Sequence, residues 1–149
     1  MSPTIIRLFQ EHVARRPSSL AVEHGDRKYS YEDLDRKSNQ LARCLERYGV
    51  GPEVVVGIVT GRSIDTVLAI FAVLKCGAAY LPIDLKYPEQ RLNYMLRDAG
   101  CGVVLAKDPR LLPVREGVHW LTLDDLLSQP VSDAPVDRIV SETSSAYVI

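Results

Sequence analysis

Apolar residues recur at two different periods along this chain of 149 residues, and the two periods predict alternating helices and strands. Spacings of three and four residues run through positions 5–13 and 34–48, which predicts two amphipathic helices with polar outer faces. Two short runs between them flank a turn at 24–26, and this arrangement predicts a β-hairpin. Ser30 and Asp33 have the spacing of a capping box, so we expect the second helix to begin there.

The composition changes after the second helix and predicts a parallel sheet. Residues 53–60 are rich in β-branched side chains without polar alternation, which is typical of a strand buried on both faces. The helix predicted over 64–76 is apolar nearly all round and must be covered on more than one side. Gly77 ends this helix, and a strand over 79–81 follows, which we expect Pro82 to stop.

A second crossover and a less regular end complete the pattern. A helix begins at Pro88, and a strand follows at 103–105. We predict a short strand and then a helical turn within 118–127, and a surface loop over 128–137. Residues 146–149 have the pattern of a strand. The sequence therefore predicts an α/β fold of three layers, with a mostly parallel sheet and right-handed crossover helices.

Charge and cysteine content exclude several classes of protein. The formal net charge is -1, which gives no electrostatic reason to bind nucleic acid or an anionic membrane. The longest apolar run, at 67–74, is too short to span a bilayer. Cys44, Cys76 and Cys101 lack the C-x-x-C spacing and sit in apolar or helical surroundings. We expect buried, reduced thiols, a cytoplasmic location, and neither nucleic acid nor membrane as a partner.

The sequence lacks the common short motifs of catalysis and nucleotide binding. It contains no G-x-x-x-x-G-K-[ST] loop, no G-x-G-x-x-G and no G-x-S-x-G. His12, His24 and His119 are scattered, without ligand spacing among themselves or with the cysteines. No metal site is predicted.

The remaining polar candidates have structural interpretations that we favour. Residues 61–63 follow a buried strand and could offer backbone N–H groups to an anion, but a plain turn capped by Ser63 explains them as well. Asp84 and Lys86 follow a strand and are interpreted as a solvated loop pair. Tyr80 and Tyr87 are interpreted as packing residues. The residues alone therefore predict an α/β sheet without an active site.

Two stretches nevertheless resemble motifs of one family. Residues 29–34, Y-S-Y-E-D-L, resemble the first core motif of the amino-acid adenylation domains of nonribosomal peptide synthetases, L-[TS]-Y-x-E-L. Residues 74–84, L-K-C-G-A-A-Y-L-P-I-D, resemble the second motif and depart from it only at Cys76. Residues 87–96 extend this match, and residues 146–149 are similar to the strand that leads into the third motif. The resemblance covers essentially the whole chain.

The resemblance implies a reaction. Adenylation domains use ATP and Mg²⁺ to convert an amino acid into an aminoacyl-adenylate, and they pass the acyl group to the phosphopantetheine thiol of a carrier domain. In the family a glycine-rich loop holds the phosphates, a specificity pocket lies beyond it, and a lysine of a small C-terminal subdomain completes the site. We expect the chain to be the N-terminal portion of such a domain, cut before the phosphate loop.

The resemblance also implies an organisation. Residues 1–149 would be a partial N-terminal subdomain of the adenylate-forming fold, in which residues 53–149 build a parallel α/β segment. Residues 1–48, a helix, a hairpin and a helix, would pack with a half completed by later strands. The two matched motifs are mainly structural in the family, so we assign no catalytic, cofactor-binding or metal-binding residue. We expect no cofactor and no activity for the chain alone.

The implied partners are other parts of a synthetase that makes secondary metabolites such as antibiotics. They are the remainder of the adenylation domain, a condensation domain and a peptidyl-carrier domain. Faces left uncovered in the isolated chain predict self-association. Two alternatives stay open: a non-catalytic α/β binding or structural module, and a fragment of an acyl- or aryl-acid ligase.

Overall fold

A computed structural model describes residues 4–59, 61, 63–107 and 117–134. The predicted elements within these residues are confirmed in order, with small shifts at their ends. They are α1 Ile5–Arg15, β1 Leu20–His24, β2 Arg27–Ser30, α2 Tyr31–Glu46, β3 Val55–Val59, α3 Ile64–Lys75, β4 Ala79–Ile83, α4 Glu89–Asp98, β5 Val103–Ala106, β6 His119–Thr122 and α5 Leu123–Leu127. The strand predicted at 146–149 and the end of the loop predicted at 128–137 lie outside the described residues.

A parallel sheet in the order β4-β3-β5-β6 forms the middle layer, and β1 and β2 form a separate antiparallel hairpin. Alternate residues of each strand face opposite layers. Val56 and Ile58 join a core cluster with α2, α3 and α5, whereas Val104 joins a second cluster with Leu92 and Leu96 of α4. The predicted α/β fold of three layers is therefore confirmed.

Helix α2 covers the side of α3 that the sheet does not reach. Leu41 and Leu45 of α2 are fully buried, as is Leu68 of α3, and all three belong to one cluster. We expected residues 1–48 to pack with a half completed by later strands. Within this chain α2 packs on α3, because α3 is apolar nearly all round and takes the apolar stripe of α2 as a second cover. The packing with a half completed by later strands stays a prediction.

Pro82 lies inside β4 and does not stop it, so the expected end of this strand is wrong. The N–H of Ala79 donates to the carbonyl of Val54 at 3.0 Å, next to β3. Because backbone donors alternate sides along a strand, the nitrogen of Pro82 faces away from β3. Among the described strands, β4 is an edge strand, and proline at such a position removes no ladder hydrogen bond.

The expected capping box begins α2. The Ser30 hydroxyl accepts from the N–H of Asp33 at 3.1 Å, and the Asp33 carboxylate accepts from the N–H of Ser30 at 3.2 Å. The hydrogen bond from the Ser30 backbone N–H to the carboxylate is the largest of the effects that lower the pKa of Asp33. Across the part of the chain that the structure describes, no helix combines the length and the apolar character needed to cross a membrane.

Gly77 makes the turn between α3 and β4 with a φ of 76°, in the left-handed region that glycine favours. Its N–H donates to the carbonyl of Leu74 at 2.9 Å, and the next N–H, that of Ala78, donates to the carbonyl of Val73 at 3.2 Å. These bonds satisfy carbonyl groups at the end of α3. The chain can therefore reverse at once into the sheet.

We predict that Gly77→Val destabilises the chain, because a β-branched residue is strained at this φ. The expected loss of roughly 2–8 °C in melting temperature corresponds to a left-handed penalty of about 1–2 kcal/mol. Gly61→Val is the matched control, since Gly61 is exposed and a Cβ there meets nothing within 4 Å. Thermal unfolding followed by circular dichroism measures both variants. Equal melting temperatures for the two would contradict the assigned role of Gly77.

Candidate functional site

The carboxyl edge of the sheet contains the best candidate for a ligand site. The chain runs from β3 to β4 on one side and then crosses to β5 on the other, so the winding direction reverses between β3 and β5. Doubly wound α/β proteins bind ligands at this switch point. A cavity of about 40 Å³ lies there, lined by the ends of β3 and β5 and by the first turns of α3 and α5.

Ser63 and Thr122 begin the two helices at this cavity. The Ser63 hydroxyl accepts from the N–H of Thr66 at 3.2 Å, and the Thr122 hydroxyl accepts from the N–H of Asp125 at 3.1 Å. The interpretation of Ser63 as a helix cap is confirmed. Arg62 lies outside the described residues.

The charges around the cavity are mixed. Asp65 and Asp124 line it together with Lys107. Arg27 of the hairpin reaches Asp65 with a distance of 3.3 Å between Nη1 and Oδ1, and it donates to the Tyr29 hydroxyl at 2.9 Å. The hydrogen bond to Tyr29, more than the charge of Asp65, raises the pKa of Arg27. The ion pair between Arg27 and Asp65 therefore connects the β1–β2 hairpin to the edge of the cavity.

The cavity itself offers little chemistry. Its volume suits a few water molecules, and no hydrogen bond among the described residues of its lining joins a nucleophile to a base. Across the described ranges there is also no cluster of three His, Cys, Asp or Glu side chains that could hold a metal ion.

The other candidates from the sequence lie outside the cavity. The Asp84 carboxylate accepts from the N–H of Lys86 at 2.9 Å, and both residues are exposed, as a solvated loop pair would be. Tyr87 packs against the cluster beside α4, with the Arg91 guanidinium 4.5 Å from its ring centre. Tyr80 packs against the main core. The packing interpretation of both tyrosines is confirmed.

The sequence analysis did not identify Lys75 as a buried charged residue, although it is only 4% exposed. Its Nζ donates to Asp35 Oδ1 at 2.6 Å and to Asn39 Oδ1 at 2.7 Å, and it lies 5.4 Å from the ring centre of Phe9. Burial lowers the pKa of Lys75, and the hydrogen bond and charge of Asp35 oppose this effect. A lysine in the last turn of an apolar helix was the available signal.

All three cysteines are free and buried, as expected. The Cys44 thiol donates to the carbonyl of Leu126 at 3.3 Å, and the Cys76 thiol donates to the carbonyl of Ala42 at 3.3 Å. Burial raises the pKa of Cys101 to about 11, against a smaller opposing effect of a backbone hydrogen bond from Gly57. Thiols of this kind are poor nucleophiles at neutral pH.

A parallel sheet wound in both directions, with helices on both faces, defines a doubly wound α/β protein. The chain belongs to the family of AMP-binding enzymes, whose family model matches residues 9–147. It is 48% identical over 149 residues to bacitracin synthase 3 of Bacillus licheniformis, covering 98% of this chain and 2% of the relative. It is 38% identical over 146 residues to bacitracin synthase 2 of the same organism, covering 98% of this chain and 6% of the relative.

Solved structures of nonribosomal peptide synthetases are also similar to this chain. The nonribosomal peptide synthetase FmoA3, in its form with bound alpha-methyl-L-serine-AMP, matches 100% of this chain with a TM-score of 0.89 and 28% identity. The match covers 17% of that chain. The resemblance to nonribosomal adenylation domains is confirmed, and the fold is that of their N-terminal subdomain. This chain spans only a small fraction of the relatives that it matches.

We predict that none of the three thiols reacts with iodoacetamide at pH 8 while the chain is folded. A thiol with a pKa near 11 is ionised in roughly one molecule in a thousand at that pH, and burial blocks access as well. Ser132→Cys supplies the control, because Ser132 is exposed and a thiol there should be alkylated readily. Intact-mass spectrometry counts the adducts. Stoichiometric modification of Cys44, Cys76 or Cys101 without loss of the folded spectrum would contradict the prediction.

Proposed function

We propose that this chain is part of an enzyme that activates an amino acid with ATP and Mg²⁺ to an aminoacyl-adenylate. The enzyme then loads the acyl group on the phosphopantetheine thiol of a carrier domain during nonribosomal peptide synthesis. One observation carries the proposal: the whole chain matches FmoA3 in a form that holds alpha-methyl-L-serine-AMP, which is itself an aminoacyl-adenylate. The identity to two bacitracin synthases supports an antibiotic or another secondary metabolite as the product.

Within that enzyme, we infer that residues 1–149 supply scaffold and no reacting group. The cavity at the sheet edge, of about 40 Å³, is far below the roughly 300–1,000 Å³ of pockets for small organic ligands. Asp65 and Asp124 beside it carry the same sign of charge as a triphosphate. Adenylate formation needs donors and metal around the phosphates. These groups come from the rest of the adenylation domain, so the chain alone is inactive and binds no cofactor.

Partners of the chain follow from its surface and its family. Large apolar side chains are exposed, among them Ile5, Leu20, Leu85 and Tyr94. The rest of the adenylation domain covers part of this surface, and the isolated chain associates with itself. Carrier and condensation domains are the further partners, and the cytoplasm is the location that buried free thiols favour.

Amino-acid-dependent exchange of pyrophosphate with ATP tests this function. We expect the complete adenylation domain to exchange with one or a few amino acids, whereas residues 1–149 alone show no exchange. A panel of fatty and aryl acids distinguishes the ligase alternative, and a carrier domain with phosphopantetheine is compared with coenzyme A as the acyl acceptor. Exchange that depends only on an aryl or fatty acid would contradict amino-acid activation. No exchange by the complete domain with any acid would favour a non-catalytic module.

A further inference from the structure

The polar face of α2 does not simply face water, because it binds the chain that follows α5. We call residues 128–134 the strap. Side chains of α2, and that of Arg47 just after it, donate to oxygen atoms of the strap and of the end of α5. The bonds are Asn39 Nδ2 to Asp133 O at 3.1 Å, Gln40 Nε2 to Leu127 O at 2.9 Å and to Gln129 O at 3.4 Å, Arg43 Nε to Ala134 O at 3.0 Å, Cys44 Sγ to Leu126 O at 3.3 Å, and Arg47 Nη1 to Gln129 Oε1 at 3.5 Å.

These donors matter most for the distal half of the strap. Its first half is also held by the turn that ends α5, where the N–H of Ser128 donates to the carbonyl of Asp124 at 3.1 Å and the N–H of Gln129 donates to that of Leu126 at 3.3 Å. Val131 is the only described residue of the strap that packs, partly buried, against the main core. Ser132, Asp133 and Ala134 are exposed. Among the described residues, the N–H of Ala134 donates to the nearby Ser132 hydroxyl, at 3.1 Å. Apolar burial is therefore too small to fix the distal half of the strap, and side chains of α2 hold it.

Lys75 determines which way the Asn39 amide points. Its ammonium donates to Asn39 Oδ1 at 2.7 Å, so the amide nitrogen of Asn39 faces the carbonyl of Asp133. The flipped amide would set two donors against each other at Lys75 and two acceptors against each other at Asp133. Lys75 is itself fixed, since it also donates to the carboxylate of Asp35 at 2.6 Å and to its carbonyl at 3.1 Å.

We propose that Lys75 is a positioning residue that acts through Asn39 to hold the strap on α2. When this polar contact is lost, the distal half of the strap loosens around Asp133, while the apolar core stays folded. Lys75, in the L-K-C-G stretch, thus positions a strap that begins more than 50 residues later in the sequence.

Backbone order parameters from ¹⁵N relaxation test the proposal in Lys75→Met and Asn39→Leu. Both replacements put an apolar side chain of similar size in a buried place. We expect the order parameters at Ser132, Asp133 and Ala134 to fall from about 0.85 to below about 0.6, with α2 and α3 unchanged. The double variant should add no further mobility, because Lys75 acts on the strap only through Asn39.

Leu92→Ala is the matched control for a general loss of stability. Leu92 is buried in the cluster beside α4, on the opposite face of the sheet. Even if Leu92→Ala lowers the melting temperature as much as Lys75→Met or Asn39→Leu does, it should leave the strap ordered. The proposal is overturned by a strap that stays rigid in Asn39→Leu, even where Lys75→Met does not fold. It is also overturned by additive effects in the double variant, or by a strap equally mobile in Leu92→Ala.

Discussion

The apolar surface of α3 is the constraint on which the rest of the structure depends. This helix has no polar side wide enough to face water, so one flank packs on the sheet and another needs a second helix. Helix α2 provides it, and Leu41 and Leu45 of α2 are fully buried in the cluster that α3 lines. The central strand β3, the crossover and the covering helix therefore depend on one segment of 12 residues.

At the end of α3 the contacts with α2 become polar. Lys75, in the last turn of α3, is bound by Asp35 and Asn39 of α2, so the two helices that pack through leucines are joined by charge at one end. An unpaired buried charge is costly, which restricts any sliding of α2 along α3. Lys75, in the stretch that resembles the second family motif, thus joins two packed helices, and we propose that it also positions the strap. This lysine lies outside the lining of the cavity at the sheet edge.

The spacing of apolar residues and the residue types at turns predicted most of the fold, because both are local properties of the sequence. The capping box at Ser30 and the reversal at Gly77 could be predicted from neighbouring residues alone. Pro82 was misjudged, since its tolerance depends on which strand is at an edge, and strand order is not a local property. The burial of Lys75 was missed for the same reason: its partner Asp35 lies 40 residues away in sequence. The cavity could not be predicted from the sequence for the same reason, because residues of four separate elements line it.

The chain belongs to the family of AMP-binding enzymes, and we propose that it is a scaffold whose chemistry depends on other parts of the enzyme. The most direct measurement combines residues 1–149 with the separately produced remainder of the same adenylation domain and detects aminoacyl-adenylate by mass spectrometry. With ATP, Mg²⁺ and the cognate amino acid, the account predicts adenylate from the mixture and none from either part alone. Adenylate formed by residues 1–149 alone, or by the remainder without them, would contradict it.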